Sequence, residues 1–168
     1  MRYAQIRNMD ISNGEGRGIA LFVQGCHFHC EGCFQPETWS FDGGEKWTEN
    51  VEQDFIQLAN KPYITRISIL GGEPLCDENV REVYQLIHKL KMTYPNKDIW
   101  LYTGYTLGDI LTTYKNNFDV TRLHCIESVD YLIDGQFDIS QRDLRLKFRG
   151  SANQRIWTKE DIKKGLEY

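Results

Sequence analysis

Cys26, Cys30 and Cys33 fall within eight residues at a C-x3-C-x2-C spacing, and two further cysteines, Cys76 and Cys125, stand alone. Thiolates are soft ligands suited to iron-sulfur centres and zinc, so three of them in one loop point to a metal centre. A [4Fe-4S] cluster normally takes four Cys. Three would leave one iron with an open position, and an open position separates a reactive centre from a closed structural one. The alternative is a structural zinc site with His27 or His29 as fourth ligand. Zinc modules commonly bring their second ligand pair from about 12 to 20 residues away, and the next Cys or His after Cys33 is Cys76. Spacing favours the cluster and leaves zinc open. His27 and His29 alternate with Phe28 in the same loop and are assigned no chemical role, while Cys76 and Cys125 read as small buried hydrophobes.

The elements that would position this loop follow from hydrophobic pattern. Short β-branched runs at Ile19 to Val23, Ile67 to Leu70, Ile99 to Tyr102 and Val129 to Ile133 read as buried strands. Between them, Val51, Phe55, Leu58 and Ala59 form one helical face that must stop before Pro62. Val80, Val83, Tyr84, Ile87 and Leu90 form a second, with Asp77 as its expected N-cap. Leu107, Ile110, Leu111 and Tyr114 form a third, and Thr158 to Glu167 reads as a short capped C-terminal helix. The order strand, helix, strand, helix, strand, helix, strand predicts an α/β fold with parallel pairing and right-handed crossovers. In such sheets ligands sit beyond the carboxyl ends of the strands. The cysteine loop, Gly71-Gly72-Glu73-Pro74, Thr103-Gly104-Tyr105 and Asp134-Gly135-Gln136-Phe137 all fall at that end.

Composition narrows the class. The chain has 168 residues, with 20 Lys plus Arg against 24 Asp plus Glu for a net charge of −4. Residues 1–168 are expected to form a single domain, too short for a complete eight-fold β/α barrel of about 250 residues. A mildly acidic chain lacks the basic patch that nucleic acid or an anionic membrane requires. No apolar run reaches a membrane-spanning length and Met1 to Asp10 has no secretory h-region, so a cytoplasmic location is expected. In that reducing compartment an odd number of thiols is kept for metal or chemistry rather than for disulfides.

The cysteine loop followed by Gly-Gly-Glu-Pro, in order and at corresponding loops of a βα series, resembles the radical S-adenosylmethionine superfamily. A closer resemblance, over nearly the whole chain, is to the activating proteins of anaerobic ribonucleoside-triphosphate reductases. It rests on Asp10-Ile11-Ser12-Asn13-Gly14-Glu15-Gly16, Leu21-Phe22-Val23-Gln24-Gly25-Cys26, Cys33-Phe34-Gln35 with Thr38-Trp39, Tyr102-Thr103-Gly104-Tyr105 and Arg149-Gly150-Ser151-Ala152-Asn153-Gln154-Arg155. Gly32 replaces the aromatic residue that many superfamily members carry before the third Cys, as it does in the reductase activators.

The resemblance implies an incomplete β/α barrel of parallel strands and a [4Fe-4S] cluster on Cys26, Cys30 and Cys33 whose open iron binds S-adenosylmethionine. It implies cosubstrate contacts from Gly32, Cys33 and Phe34 near the adenine, and from Asp134 at the end of the fourth strand. Gly71 and Gly72 let backbone carbonyls approach a small ligand. Together with Glu73 these would accept from the cosubstrate's ammonium, with Pro74 fixing the exit of the turn. The activity implied is reductive cleavage of S-adenosylmethionine, yielding a radical that takes hydrogen from a glycine of the reductase large subunit. A low-potential donor such as flavodoxin would supply the electron, and no protein side chain is asked to act as acid, base or nucleophile. Two competing readings are an electron-transfer iron-sulfur protein, which would recruit Cys76 or Cys125 as a fourth ligand, and a radical enzyme with a different target. The latter is either an activator of another glycyl-radical enzyme or a small-molecule enzyme.

Overall fold

The computed structural model describes residues 1–113 and 116–166. In chain order the elements are β1 (Arg2–Asp10), β2 (Gly18–Val23), β3 (Glu45–Lys46), α1 (Glu49–Leu58), β4 (Arg66–Gly71), α2 (Val80–Thr93), β5 (Asp98–Tyr102), α3 (Leu107–Thr112), α4 (Asn117–Ser128), β6 (Tyr131–Asp134), β7 (Arg155–Thr158) and α5 (Lys159–Leu166), with short 3-10 turns at Pro36–Thr38 and Ile139–Gln141. They build one seven-stranded sheet in the order β3-β1-β2-β4-β5-β6-β7. The four inner strands, β2, β4, β5 and β6, pair in parallel. β1 and β3 on one flank and β7 on the other are antiparallel.

Alternation along the strands explains the layering, because successive side chains of a strand point to opposite faces. Ile19, Leu21, Val23, Ile67, Ile69, Ile99, Leu101 and Leu132 join Phe55, Val83, Leu86, Ile87, Leu90, Ile110, Ile126 and Ile162 in one continuous core, so helices pack on this face. The opposite face carries Ala20, Phe22 and Leu70 with Ala4 and Tyr102 against them. No helix contributes to that second cluster among the described residues. The residues that line the space over it are loops, 12–13 before β2 and 143–150 before β7.

The register aligns the carboxyl ends. Val23 pairs with Gly71 and Tyr102 with Ile133. The cysteine loop and the loops at 71–75, 103–106 and 135–138 therefore leave the sheet side by side, as expected from sequence.

Several expectations need correction. The crossover from β5 to β6 holds two helices, and α4 has no clear signature in the sequence, because its apolar residues Phe118, Leu123, Cys125 and Ile126 are interrupted by a buried Asp119–Arg122 pair. Tyr114, expected on the third helical face, and Glu167, expected to end the last helix, lie outside the described residues. Asp77 does not cap α2. The N-cap position is Asn79, and the Asp77 carboxylate instead pairs with Arg122. The last parallel strand starts at Tyr131 rather than Val129. The antiparallel flanks do not follow from the sequence pattern, since half-exposed β1 and β7 lack the continuous apolar run of a buried strand.

Candidate cluster and cosubstrate site

The cysteine loop is held open by its own backbone. Gly25 N–H donates to the Thr38 carbonyl at 2.7 Å and Cys26 N–H to that of Trp39 at 3.1 Å, which fastens the start of the loop to the 3-10 turn behind it. Gly25 and Gly32 take positive φ of 96° and 72°, and His29 takes 48°. Cys33 N–H closes a turn onto the Cys30 carbonyl at 3.1 Å. All three loop cysteines are free thiols, Cys26 buried and the other two partly exposed. Cys26 and Cys30 line a cavity of about 520 Å³ over the loop-covered face of the sheet. The Cys33 sulfur lies outside that lining and accepts from Gln35 N–H at 3.5 Å. Burial, opposed by backbone hydrogen bonds, pushes the Cys26 and Cys30 thiols up. A bound metal reverses that balance, because coordination deprotonates the thiol outright.

The two histidines are occupied elsewhere. His27 Nε2 is 2.8 Å from Glu78 Oε1 and its ring packs on Phe41, while His29 stacks on Trp39 with ring centroids 4.5 Å apart. Among the described residues no three Cys, His, Asp or Glu side chains converge on one ion. In a four-iron cluster each thiolate takes its own iron, so the ligands surround a volume rather than a point. Three free thiols in one loop, two of them on the cavity wall, fit that requirement and supply the soft donors it needs.

The second loop faces the first. Gly72 N–H donates to the Val23 carbonyl and Glu73 N–H to that of Gly25, each at 2.8 Å. A side chain at Gly72 would stand 2.5 Å from the Gly25 oxygen, and one at Gly71, whose φ is 108°, would stand 2.7 Å from Phe22 Cα. Both glycines are therefore required by close backbone approach. Glu73 lines the cavity yet is 2% exposed. Its carboxylate accepts from Leu75 N–H at 2.8 Å, Thr103 Oγ1 at 2.7 Å and Gly104 N–H at 2.7 Å. Burial outweighs these donors and pushes the carboxyl up to about 7. A cation reaching this oxygen pair would draw it back toward ionisation.

Of the remaining expected positions, Phe34 lines the cavity beside Phe137, their ring centroids 5.1 Å apart. Gly32 and Pro74 lie outside the lining, and Pro74 is buried behind the turn. Asp134 is buried too, but its carboxylate accepts from Leu107 N–H at 2.7 Å, and the residue is not part of the cavity wall. Its neighbours Gly135, Gln136 and Phe137 are. Asp134 thus tethers the start of α3 to the end of β6, which places the following loop.

Three contributors carry no assignment from sequence. Gln154 accepts from Gly150 N–H at 2.9 Å and Ser151 N–H at 3.2 Å, and donates to the Gly135 carbonyl at 3.0 Å. It clamps the loop after β6 to the segment before β7. Arg66, wholly buried, pairs with Asp10 at 3.0 Å and donates to the backbone carbonyls of Asp10, Asn13 and Glu15. This binds the loop at 10–15 to the sheet, where Ser12 and Asn13 wall the cavity. Thr103 links the two glycine-containing loops. A charged residue opening the apolar run Arg66 to Gly71 is the one signal in the sequence for the Arg66 cluster.

Fold, free thiols and facing glycine loop together fit an iron-sulfur protein of the α/β type. Residues 12–157 match the family model of a 4Fe-4S single cluster domain. The chain is 38% identical over 158 residues to the anaerobic ribonucleoside-triphosphate reductase-activating protein of Vibrio cholerae, covering 93% of this chain and 97% of that protein. It is 36% identical over 161 residues to the protein of the same name from Enterobacteria phage T4, with 96% of each chain covered. The Escherichia coli K12 protein of that name is 35% identical over 156 residues, covering 92% of this chain and 96% of that one. The chain belongs to the family of anaerobic ribonucleoside-triphosphate reductase-activating proteins.

Proposed function

We propose that the protein activates an anaerobic ribonucleoside-triphosphate reductase by forming a glycyl radical on its large subunit. The observation that carries this reading is the facing of two free loop thiols, at Cys26 and Cys30, with the free thiol of Cys33 in the same loop, by a buried carboxylate and two close-packed glycines across one cavity. Cys26, Cys30 and Cys33 would hold the cluster, and its open iron would take S-adenosylmethionine. Cluster and cosubstrate, when bound, supply one-electron cleavage of the sulfonium and the radical that removes hydrogen from the glycine.

This chain's own residues bind and exclude. The carbonyl side of the Gly71-Gly72 turn and the Glu73 carboxylate receive the ammonium of the methionine moiety. Phe34 and the adjacent backbone of Gly32 and Cys33 face the adenine. The apolar wall of Phe22, Leu70, Ile133 and Phe148 would keep small reductants, which would quench the radical, out of the site. Asp134 serves this reading by fixing the loop at 135–137, and Pro74 by fixing the exit from the glycine turn. We read residues 1–168 as one domain, with the sheet as part of a β/α barrel whose loop-covered face admits a protein segment. A low-potential donor such as flavodoxin supplies the electron. No helix among the described residues is long and apolar enough to cross a membrane.

The test is anaerobic reconstitution followed by mixing with dithionite, S-adenosylmethionine and the reductase large subunit. A glycyl radical spectrum on the partner, with 5′-deoxyadenosine in solution, is expected. A closed four-ligand electron-transfer centre would instead leave the cluster's paramagnetic spectrum unchanged on adding S-adenosylmethionine.

A further inference from the structure

Among the buried side-chain polar atoms of the described residues, Tyr102 Oη and Arg149 Nε have no hydrogen-bond partner, and both belong to residues on the wall of the same cavity. Leaving a buried donor unpaired costs about 1–3 kcal/mol, so a fold that keeps two on one wall holds them for something that enters. Among the described residues Arg149 has no ion pair and no hydrogen bond anywhere along its guanidinium, whereas Arg66 and Arg122 are saturated. Tyr102 sits on the loop-covered face of β5, against Ala20, Phe22 and Leu70.

Aromatic packing places Arg149 over the same face of β5 as Tyr102. Phe148, next to Arg149, packs edge-on against Trp100 with ring centroids 5.2 Å apart. Trp100 lies two residues before Tyr102 on the same face of β5. Tyr102 closes β5 immediately before Thr103, and Gly150, on the other side of Arg149, lies against Phe34 and Phe137. The unpaired donors therefore stand on the cavity wall among the apolar side chains of Phe22, Leu70, Ile133 and Phe148.

Unpaired donors set beside apolar surface suit a chain of carbonyl oxygens. We propose that the Arg149 guanidinium and the Tyr102 hydroxyl receive backbone carbonyls of the extended reductase segment that carries the target glycine. The inference rests on the activase reading and deepens it. A glycine flanked by extended backbone offers no side chain to grip, so its position against the cosubstrate must be set through main-chain carbonyls. Arg149 supplies up to five N–H groups in a fixed fork and Tyr102 one rotatable O–H, so the two together can receive more than one carbonyl.

The experiment uses reconstituted full-length protein with the reductase large subunit. Arg149→Met is expected to lower affinity for the reductase about tenfold, equivalent to about 1.4 kcal/mol, with a matching loss of glycyl radical yield at limiting reductase. Tyr102→Phe, which keeps ring volume, is expected to lower it about threefold. Iron content, calorimetric affinity for S-adenosylmethionine and its cleavage without the reductase should stay within twofold of wild type. Arg149→Lys keeps the charge but loses the fork, and should recover only part of the affinity. Unchanged reductase affinity in Arg149→Met overturns the proposal, and so does loss of S-adenosylmethionine affinity, which would move Arg149 to the cosubstrate. If Arg149→Met does not fold, unchanged reductase affinity in Tyr102→Phe overturns it. A wild-type protein that cleaves nothing and forms no radical overturns the activase reading instead, and is distinguishable because no variant is needed to see it.

Discussion

Thr103 Oγ1 donates to Glu73 Oε1 at 2.7 Å, so the loop after β5 is fastened to the loop after β4 through the same carboxylate that faces the cavity. Gly104 N–H takes the other oxygen. One side chain therefore performs two tasks: it joins two βα loops, and it presents buried negative charge beside the cysteine loop. The first needs only hydrogen-bond acceptors, while the second needs ionisation, and burial opposes it.

That conflict makes stability depend on pH. Burial raises the Glu73 carboxyl from 4.5 to about 7, so between those values the folded metal-free protein holds a proton that the unfolded chain has released. Stability should fall as pH rises through this window and level off above it. The loss is about 3 kcal/mol at most, because each pH unit of the window is worth about 1.36 kcal/mol. Arg122, whose charge acts on the carboxyl, stays protonated throughout. Urea melts of wild type and Glu73→Gln from about pH 4.5 to about pH 8 should show the slope in wild type and a flatter profile in the variant. Parallel profiles would remove the raised carboxyl as its cause.

Substituting the cysteines should sort them into two sets. Alanine at Cys26, Cys30 or Cys33 should reduce iron and sulfide after anaerobic reconstitution to a small fraction of wild type and abolish S-adenosylmethionine cleavage. Cys76 and Cys125 are buried thiols that desolvation holds protonated. Alanine at either should leave iron content unchanged and cost about 1 kcal/mol of packing. Loss of the cluster in Cys76→Ala would instead establish a four-ligand centre.

Much of this site is legible in the sequence because its chemistry is local. C-x3-C-x2-C and Gly-Gly-Glu-Pro each lie in one loop, and the β-branched runs before them place both at the carboxyl end of a parallel sheet. What stays hidden depends on long-range contacts. Arg66 meets Asp10 across 56 residues of chain, and Gln154 reaches Gly135 across 19. Neither spacing has a local period to betray it. Asp134 illustrates the converse, because its position at a strand end is readable while the direction of its carboxylate, toward Leu107, is set by a helix start 27 residues earlier. The antiparallel flanks escape for an energetic reason. Edge strands are half exposed, so their sequences carry polar residues that erase the buried-strand pattern.

Arg66 is expected to be the most sensitive residue outside the cysteine loop. Arg66→Met would leave the buried Asp10 carboxylate with only Arg7, 3.5 Å away, and the two Asn13 donors, and breaking a buried pair from one side costs up to about 3–5 kcal/mol. It would also release the carbonyls of Asn13 and Glu15 that now accept from the guanidinium. Asp10→Asn with Arg66→Met should recover part of the loss in a double-mutant cycle followed by chemical denaturation. Additive losses would show that the pair acts only through the loop backbone.

Gly72 couples the two halves of the site most directly. An alanine Cβ there would stand 2.5 Å from the Gly25 carbonyl oxygen, which also accepts the Glu73 N–H and belongs to the residue before Cys26. Relief requires the two loops to part, which weakens that hydrogen bond and shifts both the carboxylate and Cys26. Overpacking of this kind costs about 1–3 kcal/mol. Because the cysteines share one loop and can move together, cluster content should fall less than cosubstrate affinity, with calorimetric binding of S-adenosylmethionine dropping at least tenfold. Gly108→Ala is the matched control. Its Cβ would meet only Thr106 Oγ1, at 3.9 Å, inside α3, and helix propensity predicts a gain of up to about 1 kcal/mol. Equal S-adenosylmethionine affinity in the two variants would mean that the approach of the glycine turn to the cysteine loop does not set the binding geometry.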